Sequence, residues 1–396
     1  MASIPSPVVA IKINEWYKHI KRFNVKEAQM LREEIRKDID VMEEDEQAVL
    51  YFQLMEFRHQ LMTDYVQPSK EPLEKSDYLK AVEGQGKKMS AILEYYFNFF
   101  QGMYEFKNGK FIRAIVFYKR AEKRLEQVGD ELERAEFYYK LSEVFYHMKQ
   151  THVSMYYVGL SYDTYKAHKS NSLYMIREIN CLTVMAGNFI DFECREKALP
   201  HLLSALERSK AISNKPMIVK SLFNIGCCYK GLGDFNRALA YFNQVILEGE
   251  PIHATELLLV YYELSLFHLS QKEFIEGERF FKRGLEEAKN RKNDLFLSLL
   301  MVLENLFLKT ANLSEVLSSL EKLENERGYP YIEDLALEAA RYYNENGRMD
   351  ESVKMYEKVL YARKQIQRGD CSYDGSYWFF ECFSIARCDL IIICRF

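Results

Sequence analysis

Small residues recur in this chain at fixed offsets from aromatic ones, and that register limits the fold more than any other feature. The clearest unit, Leu222 to Val245, reads LFNIGCCYKGLGDFNRALAYFNQV, with Gly226, Tyr229, Gly233-Asp234-Phe235, Ala238, Phe242 and Val245 at its key positions. The register returns at Gly102, Gly109, Phe111, Ala114, Tyr118 and Ala121, and again at Ala186, Ala198, Leu202 and Ala205. It recurs at Ser265, Phe274, Gly277, Phe281 and Gly284, and last at Ala340, Gly347, Ser352, Tyr356 and Val359. Weaker copies fall at roughly 133–168 and 294–327. Gly226 and Ala238 mark where two helices cross closely, Gly233 ends the first helix where positive φ is needed, and Phe242 fills the gap to the next hairpin. With only 8 Pro and 17 Gly against 28 Tyr and 26 Phe, little material remains for the turns of many short strands. The expectation is an all-α fold.

This is the tetratricopeptide pattern, with turns about 40 residues apart rather than the 34 typical of the motif, so the helices are longer by a turn or so. One such hairpin cannot bury its apolar face alone. Stacked copies share a core and coil into a superhelix whose concave wall is made by the first helix of each hairpin. That wall is a groove for a peptide or a partner helix. Residues 1–66 do not fit the repeat: segments near 7–23, 25–42 and 45–66 have helical periodicity and predict a three-helix bundle. Residues 67–89, with two Pro, two Gly and many charges, read as a linker. The array of about seven repeats is expected over 90–370. From Cys371 to Phe396 the register and most of the charge vanish and four of the eight Cys appear. That tail reads either as an extension without an evolved role or as a docking helix.

Several functions are excluded by composition. A net charge of −4 does not suit a binder held by nucleic-acid phosphates. No apolar run is long enough to span a membrane, and the N-terminus lacks the layout of a secretory signal, so the cytoplasm is the expected location. The Cys spacing supports neither a disulfide framework nor a zinc site, and the eight His are scattered. Single His residues such as His59 and His147 read as helix-surface or core residues rather than ligands. No Walker loop, HExxH or GxSxG is present.

A finer likeness rests on longer strings. KINEWY (12–17), MEEDEQAVLYFQLMEFRHQLM (42–62), LEYYFNFFQGMYEF (93–106), KQTHVSMYY (149–157), AGNFIDF (186–192) and YEKVLYARKQIQRGD (356–370) resemble the Rap proteins of Gram-positive spore formers. The resemblance covers residues 5–371. It implies a bundle that grips a response regulator, with some members hydrolysing its aspartyl phosphate in the sporulation phosphorelay and others blocking a competence activator. It also implies control by a Phr peptide of five or six residues, re-imported and bound in the repeat array as a quorum-sensing signal.

The resemblance directs attention to particular residues. Removing phosphate from an aspartate asks little of a helper, because the regulator supplies Mg²⁺ and the acid pocket; no cofactor of the chain's own is expected. A Gln that orients the attacking water suffices. In phosphatase members it follows an acidic triplet, here Glu43-Glu44-Asp45, yet Glu46 occupies that position and Gln47 comes one residue, about 100° of helix, later. Glu46 and Gln47 are the candidate catalytic and regulator-binding residues, with Phe57 as an exposed aromatic contact. Asn224, at the sixth position of its repeat, and Asp191, at the thirteenth of the preceding one, match the Asn and Asp with which the family holds its peptide; Asn188 is a weaker neighbour. The rival expectations are a non-enzymatic member that sequesters a transcription factor, and a generic tetratricopeptide scaffold.

Overall fold

The computed structural model describes residues 3–66, 89–168, 174–325 and 328–371. The linker expected at 67–89 and the tail expected at 371–396 therefore lie outside the described residues, except for Met89 and Cys371. The chain divides into two compact units, Met1–Leu300 and Met301–Phe396.

The first unit opens with α1 (Ser6–Lys21), α2 (Val25–Ile39) and α3 (Glu46–Val66). Val9, Ile13, Trp16, Tyr17 and Ile20 form one buried stripe along α1 at helical spacing. Polar groups also hold the bundle together. Glu56 on α3, fully buried, accepts from Arg32 Nη2 at 2.7 Å and from Arg36 Nη2 at 3.1 Å, both on α2. Trp16 Nε1 donates to His59 Nδ1 at 3.1 Å. Burial and the nearby Arg32 push His59 down to about 4, so its ring is neutral and accepts at Nδ1. A short backbone bridge, Ile4 N–H to Val41 O and Glu43 N–H to Ile4 O, pins the turn that leads into α3.

Five helical hairpins follow in the same unit: α4 (Ala91–Lys107) with α5 (Phe111–Glu122), α6 (Glu131–His147) with α7 (Thr151–Ala167), α8 (Met175–Asp191) with α9 (Arg195–Ala211), α10 (Lys215–Gly231) with α11 (Phe235–Gly249), and α12 (Glu256–Ser270) with α13 (Phe274–Asn290). Helix α14 (Asp294–Leu303) crosses the division. The second unit contains a π-turn at Glu304–Leu308, α15 (Leu313–Glu321), and a hairpin of α16 (Tyr329–Glu345) and α17 (Met349–Cys371).

The hairpins close through the small residues of the repeat. A Cβ at Gly226 would stand 2.6 Å from the ring of Phe242, so α10 and α11 can approach only because no side chain is there. Gly102 meets Tyr118 in the same way. Other crossings add a hydrogen bond twelve residues apart in sequence: Ser154 Oγ to Ser142 O at 2.9 Å, Ser265 Oγ to Gly277 O at 3.3 Å, and Ser352 Oγ to Ala340 O at 2.8 Å. The turn after each first helix needs a left-handed residue. Gly233 (φ 76°) and Gly347 (φ 73°) supply it without cost, whereas Lys149, Glu193 and Lys272 adopt φ of 59°, 59° and 63° at equivalent turns.

Two glycines predict opposite outcomes. Gly226→Ala forces Phe242 aside and is expected to lower stability by about 1–3 kcal/mol. Gly284→Ala, whose new Cβ would meet Tyr261 and Leu300 at 3.4 and 3.6 Å, is expected to be neutral or stabilising by up to about 1 kcal/mol. Urea unfolding of both variants checks the difference.

Candidate functional site

The acidic triplet lies at the start of α3. Asp45 caps the helix, its Oδ1 accepting from the backbone N–H of Gln47 at 2.9 Å and of Ala48 at 3.1 Å. The Ser6 hydroxyl, together with those backbone bonds, holds the Asp45 carboxyl below its ordinary range. Glu43, Glu44 and Glu46 are exposed, and all three line a cleft of about 490 Å³ with Val49, Gln53 and Met89. Gln47 is absent from that lining: its Oε1 accepts instead from the N–H of Ser90, the residue before α4, at 3.0 Å. The two candidate residues thus face different surroundings, as one residue of helical rotation requires. Phe57, expected as an exposed contact, is fully buried, with its ring 5.9 Å from that of Tyr104 on α4. It lies on the side of α3 that packs on the first repeat, and its exposure would require α3 and α4 to part.

Asp191 ends α8 and pairs through Oδ1 with Lys149 Nζ at 2.8 Å. Its Oδ2 is buried without a hydrogen-bond partner. Lys149 is the strained residue that closes the α6–α7 turn, so Asp191 ties two neighbouring repeats together. Asn224 on α10 is half-buried, and its amide has no hydrogen-bond partner among the described residues. Asn188, expected beside them, is fully buried instead. Its Nδ2 donates to Ser154 Oγ at 2.9 Å in the crossing between hairpins, leaving Oδ1 unpartnered there. The uncommitted amide at Asn224 suits the backbone of an extended peptide.

A third group of residues escaped the sequence reading. Glu136 on α6 accepts from Arg58 Nη2 of the bundle at 2.9 Å and from Arg177 Nη2 of α8 at 3.0 Å, and all three side chains are buried. One helical turn away, Glu133 accepts from Tyr17 Oη at 2.6 Å and from Lys21 Nζ at 3.1 Å, both on α1. Burial alone would raise both carboxyls. The Arg177 and Arg58 guanidiniums reverse this at Glu136 and hold it at about 2, whereas at Glu133 burial outweighs Lys21 and the carboxyl is raised. The available signal was positional: Arg58, Glu133 and Glu136 are charged residues in the apolar register of their helices. Among the described residues no group of His, Cys, Asp and Glu is placed to hold a metal, and no helix is long and apolar enough to cross a membrane.

With this geometry established, similarity to known proteins is extensive. The family described as response regulator aspartate phosphatase H, N terminal, matches residues 3–64, and the tetratricopeptide repeat matches 219–247 and 334–366. Response regulator aspartate phosphatase E of Bacillus subtilis (strain 168) is 43% identical over 377 residues, covering 94% of this chain and 100% of that protein. Response regulator aspartate phosphatase A of the same strain is 42% identical over 375 residues, covering 94% and 98%. Among solved structures, a Rap protein complexed with competence and sporulation factor superposes with a TM-score of 0.86 at 35% identity, covering 92% of this chain and 99% of that one. The apo form of RapI gives 0.68 at 32% identity, covering 91% and 99%.

The ion cluster around Glu136 yields a mutational and a pH prediction. Glu136→Gln leaves two buried guanidiniums without a counter-charge, and loss of about 3–5 kcal/mol in the bundle–repeat joint is expected. The radius of gyration in small-angle scattering should rise. Because the folded carboxyl titrates at about 2, below the ordinary value of roughly 4.3, Glu136 contributes stability above about pH 5. That contribution is lost as pH falls through the window toward 2. Denaturation midpoints of wild type and Glu136→Gln should converge there.

Proposed function

The chain belongs to the Rap family, and from that premise we propose that it binds a response regulator through its N-terminal bundle and releases it when a short peptide occupies the inner wall of the repeats. One observation carries this reading. The chain superposes more closely on the Rap protein complexed with competence and sporulation factor than on the apo form of RapI, although the two identities are nearly equal. The arrangement with the bundle held on the repeats is therefore assigned to the peptide-bound, inhibited state.

The geometry supplies a route between the two ends. Helix α6 carries Glu133 and Glu136 in its first turns and leads into the turn where Lys149 meets Asp191. Helix α8 begins near Arg177 and ends at Asp191, a span of roughly 20 Å at 1.5 Å per residue. A peptide that bonds to Asn224 beside the Lys149–Asp191 pair sets the spacing of these two helices at one end. The Glu136–Arg177 contact feels that spacing at the other. The bound peptide favours the docked bundle by its differential affinity for that state.

Docking in turn occupies the candidate catalytic amide, since Gln47 Oε1 accepts from Ser90 of the first repeat. Parting α3 from α4 frees Gln47 from Ser90 and exposes Phe57 beside the acidic cleft. The target is taken to be a cytoplasmic response regulator that brings its own Mg²⁺ to the aspartyl phosphate, and Gln47 then orients the attacking water. Glu46 can only accept hydrogen bonds, and it brings negative charge toward the phosphoryl group, so the wild-type chain is a slow phosphatase.

Decay of purified phosphorylated response regulators measures this directly. Glu46→Gln is expected to speed phosphate loss by about tenfold, and Gln47→Ala to reduce the wild-type rate by a similar factor. If the wild-type chain and both variants leave every half-life unchanged, the chain acts by sequestering its target without hydrolysis. For the peptide, Asn224→Ala or Asp191→Asn is expected to weaken pentapeptide binding by about 10- to 100-fold in calorimetry. Unaltered binding in both variants would remove the inner wall as the peptide site.

A further inference from the structure

The last helix carries an apolar face that the described residues leave open. Met349, Val353, Tyr356 and Leu360 recur along α17 at helical spacing, within an arc of about 60° at 100° per residue. All four are exposed, Tyr356 by 45% and Leu360 by 58%. A separate face of α17 packs in the hairpin: Ser352, Met355, Val359 and Ala362 are buried, and Ser352 Oγ donates to Ala340 O of α16.

The repeat register shows what the open face is shaped for. Ala340, Gly347, Ser352, Tyr356 and Val359 follow Gly226, Gly233, Ala238, Phe242 and Val245 by one constant interval. On that register Val353, Tyr356 and Leu360 are the equivalents of Leu239, Phe242 and Ile246 on α11. Those three lie in one core cluster with Leu257, Val260, Tyr261 and Leu264 of α12, the first helix of the next hairpin. Phe242 is thereby only 2% exposed. The described residues contain no helix after α17 to do the same. Terminal repeats ordinarily present a polar outer face, and a contiguous apolar one marks an interaction surface.

The sequence that follows has the composition to cover it. Residues 372–396 continue directly from α17 and include YWFF (377–380) and LIII (390–393), with only five charged residues among them. Left in water, such a segment exposes more apolar surface than the stripe does. Asp374-Gly375-Ser376, just before YWFF, is a turn-forming string, so the chain can reverse soon after α17 ends. Val353 lies about 27 Å from Cys371 along the helix, and the residues after that turn span about 30 Å as a helix and more when extended.

We propose that residues 372–396 fold back along α17 and cover Val353, Tyr356 and Leu360, taking the place that the next hairpin takes on α11. Attachment at one end of the stripe gives the tail an effective concentration on the order of millimolar, which favours it over a second copy of the chain. The repeat array thus ends on a cap supplied by its own tail. This assignment draws on neither the response regulator nor the peptide reading.

Tryptophan fluorescence of the full chain tests it, because the two tryptophans are Trp16, fully buried in the bundle, and Trp378 in the tail. The difference between wild type and Trp378→Phe isolates the tail's emission. That emission is expected to be blue-shifted and shielded from acrylamide. Tyr356→Lys and Leu360→Lys, at positions exposed on the described helix, should shift it to the red and raise its quenching severalfold, with far-ultraviolet circular dichroism unchanged. Ile392→Asp, which leaves α17 unaltered, should do the same and keeps the test independent of the helix. Ile275→Lys, at an exposed position on α13, should change nothing. A wild-type Trp378 open to acrylamide would overturn the proposal, as would a shielded one indifferent to both lysine variants or to Ile392→Asp. Shielding that disappears on dilution, together with a dissociating dimer in sedimentation velocity, would also overturn it by giving the face to a second copy.

Discussion

The structure depends on a buried ionic joint. Glu133 and Glu136, one turn apart on α6, fasten the bundle to the repeats, beside the Phe57–Tyr104 and Gln47–Ser90 contacts. An apolar joint of the same size would hold the two parts at least as well, because charges lose hydration on burial and recover it only when fully paired. What ionic pairing supplies is discreteness. Glu136 and Arg177 both belong to the repeats, so Arg58 is the one member of the trio that crosses from the bundle, and its buried guanidinium is satisfied there only at hydrogen-bond distance.

Helices α6 and α8 extend from the joint along the repeats. Each has a latch residue in its first turns and leads at its far end to the Lys149–Asp191 pair. A rigid helix passes a displacement at one end to the other with little loss. The left-handed Lys149 adds to this, because its strained turn places Nζ where a neighbouring repeat can be held. Gln47 Oε1 accepts from the Ser90 N–H across the same bundle–repeat joint.

The hairpins and the three-helix bundle were legible in the sequence because each rests on local periodicity. A glycine opposite an aromatic sixteen residues later, as in Gly226 and Phe242, records a helix crossing directly. Positions on a helix follow from the register, so the Glu46–Gln47 rotation could be anticipated. Burial across elements could not. Phe57 and Asn188 occupy positions that periodicity alone leaves open, and both were expected at a surface; contact with Tyr104 and with Ser154, from other elements, encloses them.

The sequence by itself determined the secondary structure, the repeat architecture and the family, since these depend on contacts within a few dozen residues of chain. The tertiary structure alone decided which charged residues meet. Lys21 finds Glu133 and Arg58 finds Glu136 across 112 and 78 residues of sequence. No local pattern encodes such pairings, because an ion pair is selected by the distance between two folded parts and by the water that their approach excludes.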